Sequence, residues 1–283
     1  MAAAIPFIVS TQWLDDQLGD PGLRVLDCHV HWRPADGGGH VFEPGREHYA
    51  RGHVPGAGFA DLVEDLSRHD TDLPLMLPDA EEFARAMESY GVGEGTHVVL
   101  YDASVGLWAA RVWWMLAAFG FSSASVLNGG WFKWKREGRR VSIDVPEPRP
   151  ATFRAQPQPR LIASRSEVST AIRDRDACVL GALDPRAGGI AGSRAVPGEA
   201  LVDPQTNELL PRERLRELFR DAGVPAGGRV VTYCDAGAFA SLDALVLTAL
   251  GQTDVAVYDG SLAEWRRAAD DPAPTSSTRR PDA

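Results

Sequence analysis

The chain has 283 residues, a formal net charge of −10, 44% hydrophobic and 24% charged residues, the balance of a globular chain of about two domains and not of a disordered or fibrous one. No apolar run approaches the ~20 residues of a membrane span, and the first ten residues lack the basic and long apolar regions of a signal peptide. The one cluster of cations, Lys133 to Arg140, is broken by Trp134, Glu137 and Gly138, so neither nucleic acid nor a membrane is an expected partner.

In chain order, Ser10 or Thr11 caps a short helix over residues 13–18, and residues 25–28 read as a strand. Asp79-Ala-Glu-Glu82 is a capping-box start for a helix that ends at Gly91. Residues 98–101 are the short apolar run of a buried strand. Residues 107–119 form a helix apolar on nearly every side, with Trp113 and Trp114 as core, and residues 125–127 form another strand. Continuously apolar strands alternating with helices predict a mainly parallel sheet flanked by helices. Gly37-Gly-Gly39 reads as a loop and the tail after Asp270 as a frayed end.

The chain then repeats itself. Residues 98–134 and 230–265 share one order: apolar strand, Tyr, Gly-containing loop, apolar helix, Gly, strand, Asn/Asp-Gly turn, Trp. Tyr101 and Tyr233 are 132 apart, whereas Asn128 and Asp259, like Trp134 and Trp265, are 131 apart. The one-residue difference falls in the loop after the Tyr, with Gly106 matched to Gly237. His53-Val-Pro-Gly and Ala195-Val-Pro-Gly precede the two copies, and strands ending at Asp27 and Asp184 lie upstream of each. The expected organisation is therefore one α/β domain written twice: residues 1–143, a Pro-rich linker over 144–160, and residues 161–283.

Three cysteines, Cys28, Cys178 and Cys234, are scattered with no C-x-x-C. That excludes a disulfide framework and a zinc site and points to a reducing, cytoplasmic setting. Chemistry in such sheets gathers where strand C-termini meet helix N-termini. There the first copy has Asp102 after its Tyr and the second has Cys234, which opens the loop Asp235, Ala236, Gly237, Ala238, Phe239 before a helix expected near Ala240. A thiol at a helix N-terminus is expected to fall from ~8.5 to as low as ~3.5–7.5. The curled loop would form an anion nest, with Gly237 turning it free of a Cβ clash. Cys28 and Cys178, inside strand patterns, read as structural.

Gly52-His-Val-Pro-Gly-Ala57, Leu73-Pro-Leu-Met-Leu-Pro78, Val98-Val-Leu-Tyr-Asp102, Arg111-Val-Trp-Trp114, Val126-Leu-Asn-Gly-Gly130, Tyr233-Cys234 and Tyr258-Asp-Gly-Ser-Leu-Ala-Glu-Trp265 together give the chain its likeness. It resembles the tandem-domain rhodaneses, the thiosulfate and 3-mercaptopyruvate sulfurtransferases, over nearly its whole length. The resemblance implies two rhodanese-like α/β domains packed face to face, with the active loop at their interface. It implies a catalytically silent first copy carrying Asp102, and Cys234 as the nucleophile of a two-step transfer. The thiolate would take the outer sulfur of a small donor as a persulfide and pass it to cyanide, a thiol or a protein cysteine, with no metal or organic cofactor.

The loop departs from the family. Thiosulfate-type members follow the cysteine with Arg-Lys-Gly-Val-Thr, and both cation places are here Asp235 and Ala236. A carboxylate beside the site is expected to raise the thiol pKa and repel thiosulfate. Mercaptopyruvate-type members carry Gly-Ser-Gly-Val-Thr, and the Ser place is Ala236. Their partner His is here Leu75, while Asp61 still matches the acidic member of that set. An arginine expected after Asp184-Pro-Arg186 is replaced by Ile190. Arg186 or Arg194 could return positive charge to the site. The alternative these departures leave open is a catalytically weak rhodanese-like binding or sulfur-carrier module.

Rival constellations are weaker. Asp27-Cys-His29-Val-His31 places two His on one strand face, but His40, His48, His53, His69 and His97 all fall early and none follows, so no metal is expected. A cysteine phosphatase needs Cys-x5-Arg, and that place is Ala240. No G-x-G-x-x-G follows a strand and no Walker A run exists. His53 reads as the brace of a turn.

Overall fold

The computed structural model describes residues 6–35 and 39–270. Gly37, Gly38 and the tail after Asp270 lie outside the described residues.

The first unit runs β1 (Ile8–Val9), α1 (Thr11–Gln17), β2 (Leu23–Asp27), β3 (Val30–Pro34), β4 (His40–Pro44), α2 (Arg46–Arg51), β5 (Ala57–Phe59), α3 (Ala80–Ser89), β6 (His97–Tyr101), α4 (Leu107–Ala118), β7 (Ala124–Leu127) and α5 (Gly130–Arg136). The second runs β8 (Ile162–Ala163), α6 (Arg165–Asp174), β9 (Cys178–Gly181), β10 (Arg194–Ala195), α7 (Arg212–Asp221), β11 (Val230–Tyr233), α8 (Ala238–Leu250), β12 (Val255–Tyr258) and α9 (Ser261–Asp270). The first sheet has the order β1-β7-β6-β2-β5 and the second β8-β12-β11-β9-β10, strand for strand the same. Every pairing in both is parallel, with Val99 opposite Val25 and Ser125, and Val231 opposite Val179 and Ala256. Each central strand ends in a Tyr whose hydroxyl takes a backbone N–H from the neighbouring connection, Val54 N at 3.2 Å for Tyr101 and Ile190 N at 2.8 Å for Tyr233.

Local signals explain the helix starts. Ser10 Oγ accepts from Trp13 N at 3.1 Å, so α1 begins at Thr11, two residues before the expected start. Asp79 and Glu82 close a full capping box on α3. Gly106 and Gly237, at φ +86° and +81°, turn the chain into α4 and α8. These two helices are buried on nearly all sides and pack on each other across the boundary between units. Trp108, Trp113 and Trp114 lie in that core. Each buries on the order of 150–250 Å², roughly 4–6 kcal/mol of gross hydrophobic stabilisation at about 25 cal/mol per Å².

Two local expectations are corrected, and one element was not foreseen. The β3–β4 hairpin had no sequence signal, because Val30 is its one buried residue in β3 and the rest of that strand is exposed. β9 stops at Gly181, where a Cβ would meet the Tyr233 hydroxyl at 2.8 Å, and Asp184 caps a short turn instead of ending the strand. α8 starts at Ala238, two residues earlier than expected, because Gly237 already supplies the left-handed cap. Residues 144–158 contain no helix or strand. They run along the first unit, with Phe153 buried against Phe83 and Phe121, and Thr152 O accepting from Glu94 N at 3.1 Å.

Candidate active site

Cys234 follows β11 at the C-terminal edge of the second sheet, 3% exposed. The backbone N–H groups of Ala240, Ala236 and Phe239 favour negative charge on its sulfur. Its own N–H donates to Ser261 Oγ at 3.1 Å, and its carbonyl accepts from Leu262 N at 2.9 Å. Ser261 holds this position at φ +48°, an unusual conformation for a residue with a Cβ, while its hydroxyl donates to Tyr258 O at 2.8 Å. Loop and helix start therefore make a cradle of N–H groups for negative sulfur.

The first unit holds the same cradle with a carboxylate in it. Asp102 Oδ1 accepts from Ser104 N at 2.7 Å and Gly106 N at 3.1 Å, and Oδ2 from Trp108 N at 3.0 Å and Ala109 N at 2.9 Å. Trp131 N donates to Asp102 O at 2.9 Å, the counterpart of Leu262 N on Cys234 O. The second unit closes this copy: Asn207 Nδ2 donates to Ser104 O at 2.5 Å, and Leu209 N donates to Asn128 Oδ1 at 2.8 Å. The space beside Gly106 is about 20 Å³.

The thiol does not follow the expectation of acidification. Burial pushes Cys234 above its ordinary value, and Asp235 adds to the rise, against the N–H groups that lower it. Removal from water outweighs the helix terminus here. Asp235 lies 3.5 Å from Arg266 Nη1 on α9. Phe239 is part-buried and sits tightly over Gly198. Ala236 and Ala238 are buried. The loop thus presents N–H groups, methyls and a ring, and no cation.

The support residues expected from sequence have other partners. Asp61 is fully buried; its Oδ1 accepts from Val63 N and Glu64 N, and its Oδ2 lies 2.8 Å from Arg46. Arg186 is a solvent-facing partner of Asp184, its side chain 90% exposed. Arg194 packs over Gly223 beside Cys178, toward the opposite end of the sheet. Among the described residues, none of the three makes a hydrogen bond or ion pair with the Cys234 loop. Cys178 is part-buried and Cys28 fully buried, both with thiols raised by burial.

The sequence reading missed Arg111, Asp259 and Ser261. Arg111 on α4 of the first unit is fully buried, stacked 4.7 Å from the Trp114 ring, and its Nη2 lies 2.6 Å from Asp259 Oδ1 and donates to Leu75 O at 2.5 Å. Asp259 Oδ2 accepts from Leu77 N at 2.8 Å. A lone cation inside the otherwise uncharged α4 was the available signal. His29 and His31 do stand together, ring centroids 4.6 Å apart, with His48 4.9 Å from His29. Among the described residues, no group of three or more His, Cys, Asp or Glu is arranged to hold a metal ion. His53 does brace its turn, with ring nitrogens 2.9 Å from Tyr49 O and 3.1 Å from Asp144 O.

Two like-ordered parallel sheets, each with a Tyr-ended central strand, a tight loop and a buried helix, define a rhodanese fold. The rhodanese-like domain profile matches residues 10–137 and 176–268, and the chain belongs to that family. It is 35% identical over 285 residues to thiosulfate sulfurtransferase of Cricetulus griseus, covering 91% of each chain. It is 32% identical over 289 residues to 3-mercaptopyruvate sulfurtransferase of Escherichia coli strain K12, covering 94% of this chain and 97% of that one. The crystal structure of SseA from Escherichia coli, described as a 3-mercaptopyruvate sulfotransferase, superimposes with a TM-score of 0.81 at 29% identity over 90% of this chain and 98% of that one.

Proposed function

We propose that this sulfurtransferase moves a sulfane sulfur from a small donor of the thiosulfate or 3-mercaptopyruvate class to a thiophilic acceptor, with Cys234 as the carrier. The Cys234 thiolate attacks the outer sulfur of the donor. The new S–S bond forms as the donor's bond to that sulfur breaks, releasing sulfite from thiosulfate or the pyruvate carbanion, which takes a proton, from 3-mercaptopyruvate. The resulting persulfide is attacked at its outer sulfur by cyanide or a thiolate, and Cys234 leaves as thiolate. The observation that carries this reading is the place of Cys234 between β11 and α8, the seat whose counterpart in the first unit receives four backbone N–H bonds on Asp102. Such donors stabilise thiolate and persulfide without reorganising. Residues 1–143 would be the silent copy, with Asp102 where a nucleophile would stand, and residues 161–283 the catalytic one.

The buried thiol, with Asp235 beside it, favours slow loading by anionic donors. Intact-mass analysis after incubation with thiosulfate or 3-mercaptopyruvate tests the reading. The wild type gains one sulfur, Cys234→Ser gains none, and cyanide removes it as thiocyanate. A folded wild type that gains no sulfur from either donor overturns the donor assignment.

A further inference from the structure

One buried charge has no task in the chemistry above. Arg111 is fully buried, yet among the described residues its Nε and Nη1 have no hydrogen-bond partner, and Nη2 alone serves Leu75 O and Asp259. A half-satisfied guanidinium is costly to bury, so its position needs a reason. Nη1 would stand 2.8 Å from a Cβ at Gly237, and the Asp259 carbonyl 3.4 Å from the same point. Gly237 is the residue at φ +81° that turns the Cys234 loop into α8. The guanidinium, fixed over Trp114 and tied to Asp259, is thus a wall against the back of that loop. Asp259 ties the wall to the 75–77 segment, where Leu75 is itself held at φ +56°.

The two copies differ in what keeps their loops in shape. Asp102 fastens its own loop with four N–H bonds from within. A neutral thiol is a weak acceptor and fastens little. We infer that Arg111 is a positioning residue for Cys234. The silent unit sends it across the boundary to brace Gly237, so that the N–H groups of Ala236, Phe239 and Ala240 stay aimed at the sulfur when it becomes negative. This rests on the reading of Cys234 as the nucleophile.

The test uses full-length Arg111→Lys, Arg111→Gln and Asp259→Asn. The readouts are the pH profile of Cys234 alkylation by iodoacetamide, kcat and KM with thiosulfate and cyanide, and Tm. With the brace shortened or uncharged, kcat falls about ten-fold or more while KM for thiosulfate moves less than about three-fold, because placement of the reacting group is lost and not donor binding. The alkylation profile moves to higher pH in the same variants. Arg111→Lys retains more activity than Arg111→Gln. Variants that fold yet keep kcat and the alkylation profile within about two-fold of wild type overturn the inference, whatever their Tm. If the Arg111 variants do not fold, Asp259→Asn gives the same two readouts, and they support or overturn the brace on the same terms. If wild type takes sulfur from neither donor, the donor assignment fails, and the alkylation profile still decides the brace.

Discussion

Asp102 and Cys234 occupy equivalent seats: each follows the Tyr that ends a central strand, and each faces N–H groups at the start of the next helix. The carboxylate fills its seat with four hydrogen bonds, and the copy is then closed by Asn207 and Leu209 from the other unit. On the proposed reading, silence of the first copy would have two causes, a residue that is no sulfur nucleophile and a seat closed by the other unit. Asp102→Cys in a Cys234→Ser background separates them. The expected outcome is no sulfur gain by intact mass from either donor, because the seal remains. Uptake at position 102 would show that residue identity alone kept the copy silent.

Asp235 sets the second prediction. Burial and then the Asp235 charge raise the Cys234 thiol, so its alkylation is expected to keep climbing with pH beyond the ordinary thiol value of about 8.5. Asp235→Ala removes the nearby negative charge and shifts the profile to lower pH. At pH 7.5 alkylation speeds up several-fold, and turnover of thiosulfate rises with it. An unshifted profile would mean that solvent and Arg266 already cancel the Asp235 charge, since the pair is half-exposed.

Gly106 and Gly237 offer a matched pair. Both sit in the left-handed region, at φ +86° and +81°, so a Cβ strains both by a similar amount. A Cβ at Gly106 enters open space, whereas one at Gly237 meets Arg111 Nη1 at 2.8 Å. Gly106→Ala is expected to cost about 1 kcal/mol by urea denaturation and leave sulfur transfer near wild type. Gly237→Ala is expected to cost about 1–3 kcal/mol and to depress kcat. Equal effects of the two on activity would show that the contact, and not the turn, is unimportant.

These pairs show which features sequence patterning exposes. Strand order, the repeated Tyr, the capping box on α3 and the loop glycines are written locally, in apolar runs and in residues with special backbone freedom. Cys234 stood out because it follows the Tyr of its copy where Asp102 follows the Tyr of the other. The charged neighbours were not legible in the same way. Arg186 and Arg194 look available in sequence, but one turns back onto Asp184 and the other packs over Gly223 toward the far end of the sheet. Arg111 on α4 and Asp259 in the turn after β12 meet only because the two units pack together, a relation that no local pattern encodes. The thiol shift was misjudged for a related reason: helix position is a sequence property, whereas the depth of burial that outweighs it is a property of the assembled core.

Asp243 in α8 gives the last prediction. It is fully buried and among the described residues neither carboxylate oxygen has a partner, so burial alone raises its pKa far above the usual carboxylate range. Asp27, likewise buried, is pushed up to about 7, with its hydrogen bond from His29 N only partly offsetting burial. Both acids keep a proton in the folded chain that the unfolded chain releases above about pH 3.9. Stability contributed by the protonated forms is therefore complete below about pH 4 and is lost as pH rises toward each folded value. Below about pH 6.5 the buried His29, held down to about 4, works in the opposite sense; Tm is therefore expected to fall from about pH 6.5 to pH 7.5. Asp243→Val removes the ionisable group and the unpaired oxygens together. It should gain about 1–3 kcal/mol at pH 7.5, raise Tm there, and flatten the pH dependence while leaving the part due to Asp27. Scanning calorimetry across that range decides it. A variant less stable than wild type at pH 7.5, with the slope unchanged, would show that the Asp243 carboxyl is satisfied in the folded chain and contributes to its stability.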